Sequence, residues 1–282
     1  MLCVNSNGTI LSNDGPTIHS GNRGHLYGDG VFESIRIIRG MPVNLDNHIV
    51  RLMEGAEIIK MRPPSYFSAS FFEEKIIDLL QRSEILEGGK CRISLDRATG
   101  GTYSPESNEV EFFIEVYPLE TNNFSLNQRG LEIDLFADLK KAKSNLSNYK
   151  TKNGLIYILA SIAAKEKDLD DVLISNTAGG ILESTAANLF VVSNGVLYTP
   201  GLEEGCLAGT MRMQIINLAI ANGMKVYECN ILPQNLLVAD EIFLTNAIQG
   251  ILWVGGYRTK RYFNNTSKLL IELLNKKWRS TD

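Results

Sequence analysis

Cysteine is scarce and scattered. The four residues, Cys3, Cys91, Cys206 and Cys229, form no CxxC pair, which argues against a disulfide framework or a thiolate zinc site. Histidine is scarcer still, with only His19, His25 and His48, all near the N-terminus, so no metal ligand set is expected. No stretch approaches the roughly 18 consecutive apolar residues of a membrane span, and the opening "MLCVNSNGTILSND" lacks a basic segment followed by an apolar run. The expectation is a soluble, cytoplasmic protein that does not engage membranes. A basic excess is missing as well: net charge is -4, with Lys and Arg dispersed. That argues against a face built to neutralise nucleic-acid phosphates and points to small-molecule partners.

What is present is a 282-residue chain, 44% hydrophobic and 21% charged, enough for a sizeable core in one large or two medium domains. "LDNHIVRLMEGAEIIKM" places Leu45, Ile49, Leu52, Met53, Ala56 and Ile59 on one helical face, stopped by Pro63 and Pro64. A second helix is read in "SASFFEEKIIDLLQRSEILEGG", with Ser70 and Glu73 as a capping box and Gly88-Gly89 as terminator. "KCRISLDR" and "EFFIEVYPL" read as antiparallel strands around a long loop. "LETNNFSLNQRG" is the expected linker, dividing the chain into an N-terminal α/β domain (1–120) and a C-terminal domain (121–282) that carries the lysines discussed below. Beyond the linker, strands and helices mix: "EIDLFADL", "KVYECN" and "EIFLTNA" read as strands, and "NGLIYILASIAAKEKD", "GTMRMQIINLAIANGM" and "TSKLLIELLNKK" as helices. The fold class is mixed α and β.

Three short segments hold residues that a core would not ordinarily contain. "ESTAANLF" sets Glu183 at the edge of an apolar strand pair. "GCLAGTMR" runs a glycine-rich turn directly into a helix, so that the free N–H groups of Gly209, Thr210 and Met211 would point outward at the positive end of the helix dipole, a place suited to an anion. "SNYKTKNG" offers Lys150 and Lys152 immediately before a helix.

Together, "ESTAANLF", "LYTP" and "LAGTMR" resemble the signature of the class IV, or fold type IV, pyridoxal-phosphate enzymes, which include branched-chain aminotransferases, D-amino acid aminotransferases and aminodeoxychorismate lyases. "YGDGVFESIR" and "NHIVRL" extend the resemblance into the N-terminal half; Thr210 departs from the aliphatic residue usual at its position. The resemblance implies a two-domain fold with a smaller N-terminal domain of sheet and helices, pyridoxal 5'-phosphate as cofactor, amino acid and 2-oxo acid substrates, and a homodimer. It also implies roles. Lys150, which alone satisfies the pattern K-x-x-N through Asn153, would be the cofactor lysine and the acid–base group, with Lys152 as the alternative. Glu183 would face the pyridine nitrogen. Arg51 would contact the phosphate, as would Gly209, Thr210 and Met211, while Asn188 would either contact the ring or tie a turn.

The resemblance leaves the reaction open. Phe32 and Ser34 of "GVFESIR" and Arg92 of "KCRISL" lean to an aminotransferase, with Arg92 pairing a substrate carboxylate. Arg97 and Tyr103 in "DRATGGTYS", and Asn246, Ala247 and Ile248 in "LTNAIQG", are similar to lyase segments, although Thr102 replaces an arginine that lyases use. A class IV aminotransferase of branched-chain-like or related amino acids is the expectation, with 4-amino-4-deoxychorismate lyase as its alternative. A cofactor-fold binding protein without chemistry is the third reading.

Overall fold

The computed structural model describes residues 2–12, 14 and 18–279, and the chain divides into two compact units. One is Met1–Asn123 with Tyr149–Asn153; the other is Phe124–Asn148 with Gly154–Asp282.

The first unit runs β1 (Cys3–Ser6), β2 (Thr9–Ser12), α1 (Arg23–Tyr27), β3 (Gly30–Ile38), β4 (Met41–Pro42), α2 (Leu45–Ile58), α3 (Ala69–Arg82), β5 (Gly89–Arg97) and β6 (Val110–Pro118). Its six strands form one antiparallel sheet in the order β2-β1-β6-β5-β3-β4. Alternation along β3 sends Val31, Ile35 and Ile37 to one face, where they form a core with Leu52 of α2 and Phe72, Ile76 and Leu79 of α3. Phe32 and Ser34 therefore project from the other face.

Two details differ from the sequence reading. The N-cap of α3 is Ser68, whose hydroxyl accepts from the Phe71 N–H, so Ser70 with Glu73 is not a capping box. Starting the helix at Ala69 puts Phe72, Ile76, Leu79 and Leu80 on the buried side, and that packing decides between two equally suitable serines. The helix ends at Arg82, and Gly89 opens β5 instead of terminating a helix.

The second unit runs β7 (Leu131–Leu135), α4 (Leu155–Glu166), β8 (Asp171–Ser175), β9 (Ile181–Ser184), β10 (Asn188–Ser193), β11 (Val196–Pro200), α5 (Thr210–Ala221), β12 (Val226–Cys229), α6 (Pro233–Val238), β13 (Glu241–Asn246), β14 (Gly250–Tyr257), β15 (Lys260–Arg261) and α7 (Asn265–Arg279). The main strand path is β12-β11-β10-β13-β14-β7-β8-β9, and β9 returns to pair with β10. Six strands thus close on themselves, which removes two sheet edges. Leu189, Val191, Leu173, Ile242, Leu244 and Val254 fill one cluster, while Ala160, Ala163 and Ala164 of α4 pack with Val172 and Ile174 of β8 in another. The closure rests on a single residue pair, Asn188 opposite Glu183.

The division by sequence put Lys150 in the C-terminal half; the structure clusters it with the first unit. The physical reason is backbone pairing. The Phe32 N–H donates to the Lys150 carbonyl at 3.0 Å, the Lys152 N–H donates to the Gly30 carbonyl at 2.9 Å, and Thr151 forms an antiparallel bridge with Val31.

Candidate active site

In the first unit, the segment Lys150–Lys152 pairs with β3, and its two lysines meet different partners. Lys150 Nζ lies 4.5 Å from the centroid of the Phe32 ring. Lys152 forms an ion pair with Asp96, whose side chain is fully buried. A lysine neutralising a buried carboxylate holds the fold together, because its removal strands a charge. The geometry therefore separates a lysine beside an aromatic ring from a lysine committed to structure.

Arg92 belongs with Lys150. In the β3–β5 register it stands opposite Ser34, and its guanidinium carbon is 3.7 Å from the same Phe32 centroid. Its Nε donates to Ser94 Oγ at 3.3 Å, and Glu115 is 3.9 Å away. Two cations thus share one ring face environment, a cation–π arrangement that holds both side chains in place.

Arg97 does not join them. It is buried, with Nε on Asp29 (2.9 Å), Nη1 on Asn108 (2.5 Å) and the Lys60 carbonyl (3.4 Å), and Nη2 on the Ile59 carbonyl (2.7 Å). Asp29 also accepts from Arg23 Nε at 2.9 Å, and Arg23 Nη1 in turn donates to the Gly100 and Thr102 carbonyls. Arg97 thus ties β5 to the chain after α2. Tyr103, also expected at the substrate, is 92% exposed and lies against Tyr27 with ring centroids 5.5 Å apart.

Arg51 is held by a carboxylate that sequence reasoning passed over. Glu33 projects to the core side of β3 and is fully buried. It accepts from Arg51 Nε at 2.6 Å and Arg51 Nη2 at 2.5 Å, and lies 2.7 Å from His48 Nδ1. Burial pushes the Glu33 carboxyl up, but Arg51 and His48 outweigh it and hold it at about 2. This network is spelled by "FES" and "HIVR": His48 and Arg51 are three apart on α2, hence on one helical face. The carboxylate fixes the plane of the guanidinium.

The depressed Glu33 carboxyl has a pH consequence. The group stabilises the fold fully above its unfolded value of 4.5, and that stability is lost as pH falls through the folded value near 2. The contribution is on the order of 3 kcal/mol. Acid unfolding followed by circular dichroism should show Glu33→Gln already destabilised at pH 7 and flatter than the wild type between pH 4.5 and 2. A parallel loss in both proteins across that window would refute the assignment.

In the second unit, Glu183 sits where the sheet closes and is 3% exposed. Its Oε1 accepts from Lys141 Nζ at 2.7 Å and Tyr157 Oη at 2.9 Å, and its Oε2 accepts from the Leu207 N–H at 2.8 Å. Burial, reinforced by the Glu183 carboxylate, pushes the Tyr157 phenol above its usual range, so Tyr157 stays protonated and donates. Lys141 and Tyr157 were not anticipated, because nothing in "LKKAKS" or "LIYIL" separates them from a surface lysine and a helix-face tyrosine.

Asn188, opposite Glu183, donates through Nδ2 to the Leu207 carbonyl at 2.8 Å. That bond ties the turn before α5. The Asn188 Oδ1 would lie 1.9 Å from a Cβ placed on Gly209, so any larger residue there must displace the Asn188 side chain. Gly209 is the N-cap of α5 with no side-chain cap, and Thr210 and Met211 are its first helical residues, both buried. The first-turn N–H groups of a helix lie at the positive end of its dipole, which makes such a terminus suitable for an anion. Asn246 ends β13, the strand paired with β10; its Oδ1 accepts from the Ile248 and Gln249 N–H groups at 3.0 and 2.8 Å. That side chain therefore shapes the turn containing Ala247 and Ile248. All four cysteines are free. Among the described residues no helix is long and apolar enough to cross a membrane.

The first unit thus holds a lysine amine beside an aromatic ring and an arginine braced by a buried carboxylate; the second holds a buried carboxylate and a helix terminus without a side-chain cap. The family described as Amino-transferase class IV matches residues 30–256, and the chain belongs to it. The cofactor of that family is pyridoxal 5'-phosphate.

A Methanocaldococcus jannaschii protein named "Putative branched-chain-amino-acid aminotransferase" is 28% identical over 87% of this chain and 84% of its own length. An aminodeoxychorismate lyase of Vibrio harveyi is 24% identical over 84% of this chain and 86% of its own. The crystal structure of a branched-chain aminotransferase from Thermoproteus uzoniensis has the same fold, with a TM-score of 0.87 at 22% identity, covering 96% of this chain and 92% of that one.

Proposed function

We propose that this protein is a pyridoxal-phosphate-dependent aminotransferase that moves an amino group between an amino acid, branched-chain-like or related, and a 2-oxo acid. The observation that carries the reading is Arg92 packed on Phe32, the same ring that Lys150 contacts. It supplies one cation for one carboxylate next to the reactive amine. A lyase substrate with two carboxylates calls for a second cation. Arg97 is consumed by internal partners, and Thr102 stands where lyases use an arginine.

The donor set fits the cofactor. Lys150 would hold it through the amine, Arg51 and the N–H groups at Gly209–Met211 would take its phosphate, and Glu183 would accept from its ring nitrogen. When bound, pyridoxal phosphate supplies a carbonyl carbon for amine exchange and a ring that withdraws electron density. Lys150 then acts as the base that removes the proton at the substrate α-carbon, and as the acid that returns it. Phe32 packs against the Lys150 amine and holds its side chain in place. Arg92 binds and orients the substrate carboxylate by paired hydrogen bonds, and the Ser34 hydroxyl, opposite it in register, can assist in holding that group.

An apolar stripe on α4, where Leu155, Ile158, Leu159 and Ile162 are all exposed, supports the further reading of a homodimer, since a patch of this kind is ordinarily covered. Four free thiols accord with a reducing compartment such as the cytoplasm.

The deciding experiment mixes cofactor-loaded protein with single amino acids in the absence of any oxo acid, and separately with aminodeoxychorismate. One equivalent of 2-oxo acid formed from an amino acid is expected. Pyruvate and 4-aminobenzoate formed from aminodeoxychorismate, with every amino acid inert, would replace this reading with the lyase.

A further inference from the structure

Glu183 is already paired with a cation of the chain's own. Lys141 Nζ is 2.7 Å from Oε1, and the two side chains are 13% and 4% exposed. The lysine is no wandering surface group: its ammonium also donates to the Ser147 carbonyl at 3.0 Å, and its backbone N–H donates to the Ser175 carbonyl at 2.9 Å. A parallel bridge to Asn176 completes the anchorage. The segment after β7 thus delivers Lys141 to a fixed point beside the end of β8.

We propose that Lys141 is a positioning residue that, acting through Glu183, lowers the proton affinity of the cofactor's ring nitrogen. The proposal rests on the cofactor reading above. A carboxylate with one negative charge meets two positive ones when the ring nitrogen is protonated. Lys141 neutralises part of the field that would otherwise hold the ring proton, and it occupies one lone pair of Oε1 while Tyr157 occupies another. A like charge a few ångströms from a titrating nitrogen disfavours its protonated form. The ring is thereby left a moderated electron sink, whereas a lone Glu183 would keep it permanently protonated. Tyr157 contributes a neutral hydrogen bond to the same oxygen, so charge and hydrogen bonding at Glu183 can be removed separately.

The test reads the ring nitrogen directly. Holoenzyme carrying ring-15N pyridoxal phosphate is titrated from pH 6 to 10 by NMR, as wild type, Lys141→Met, Lys141→Arg and Tyr157→Phe. Loss of the ring proton should move upward by about one to two pH units in Lys141→Met. It should stay near the wild-type position in Lys141→Arg and move less in Tyr157→Phe than in Lys141→Met. If Lys141→Met does not fold, Lys141→Gln, which keeps a donor without charge, is read in its place with the same expected shift.

Titrations that coincide in the charged and uncharged variants would overturn the proposal and leave Lys141 a structural ion pair. Coincident titrations with a ring signal that Glu183→Gln still alters would overturn it alone. Failure of the wild type to take up pyridoxal phosphate would instead overturn the cofactor reading on which it rests.

Discussion

Lys150→Ala should fold normally, lose the long-wavelength absorbance that a lysine-bound pyridoxal phosphate gives, and turn over more slowly by about four powers of ten or more. Acid–base catalysis alone contributes two to four of these, and the covalent attachment adds to them. Lys152→Ala should fail differently. Its loss leaves Asp96, fully buried, without the Lys152 ion pair, which costs about 3–5 kcal/mol of stability. It should therefore show a lowered melting temperature, with the cofactor absorbance retained in the fraction that is folded. Thermal melts and absorbance spectra of both variants decide the matter, and a stable, colourless Lys152→Ala beside an active Lys150→Ala would reverse the two assignments.

Glu183→Gln should retain cofactor and lose turnover by about three powers of ten, the scale on which one preorganised electrostatic partner contributes to a rate. The amide keeps one acceptor oxygen, so it can retain the Leu207 N–H bond that supports the turn while its NH2 replaces the oxygen that Lys141 and Tyr157 share. It carries no charge to stabilise a protonated ring. The substitution also leaves the Lys141 ammonium facing a neutral group, with the Ser147 carbonyl still 3.0 Å away, and the resulting positive potential disfavours ring protonation further. Single-turnover rates with a good amino donor are the measurement; a loss below tenfold would remove Glu183 from the chemistry.

Much of the site was legible where a residue's role is written locally. Glu183, Asn188 and Gly209 stand within short segments whose polar residues have fixed spacing, and the closing of the sheet brings them together as one set. The pattern K-x-x-N distinguishes Lys150 from Lys152 in the sequence, whereas the buried ion-pair partner of Lys152, Asp96, is visible only in the structure. What was not legible depends on distant chain. Arg97 reads as a loop arginine, but its fate is set by carbonyls at Ile59 and Lys60 and by Asn108. Glu33 alternates with core residues and would look misplaced until His48 and Arg51 arrive from α2. Lys141 is one of three lysines in "LKKAKS", and only the backbone pairing near Ser175 selects it. At α3, two serines compete for the cap, and the apolar face chooses Ser68.

The backbone pairing of Tyr149–Asn153 with β3 bears on how such a chain can be inherited and made. Gly30 and Phe32 wait for a segment translated more than a hundred residues later, so the ribosome must extrude most of the second half's opening before the first half has all its partners. A recombination event that cut at the compositional linker would pass on a first half without the segment that pairs with β3 and a second half with that segment stripped of its neighbours. The pairing thus makes the two halves an indivisible genetic unit, however separate their cores.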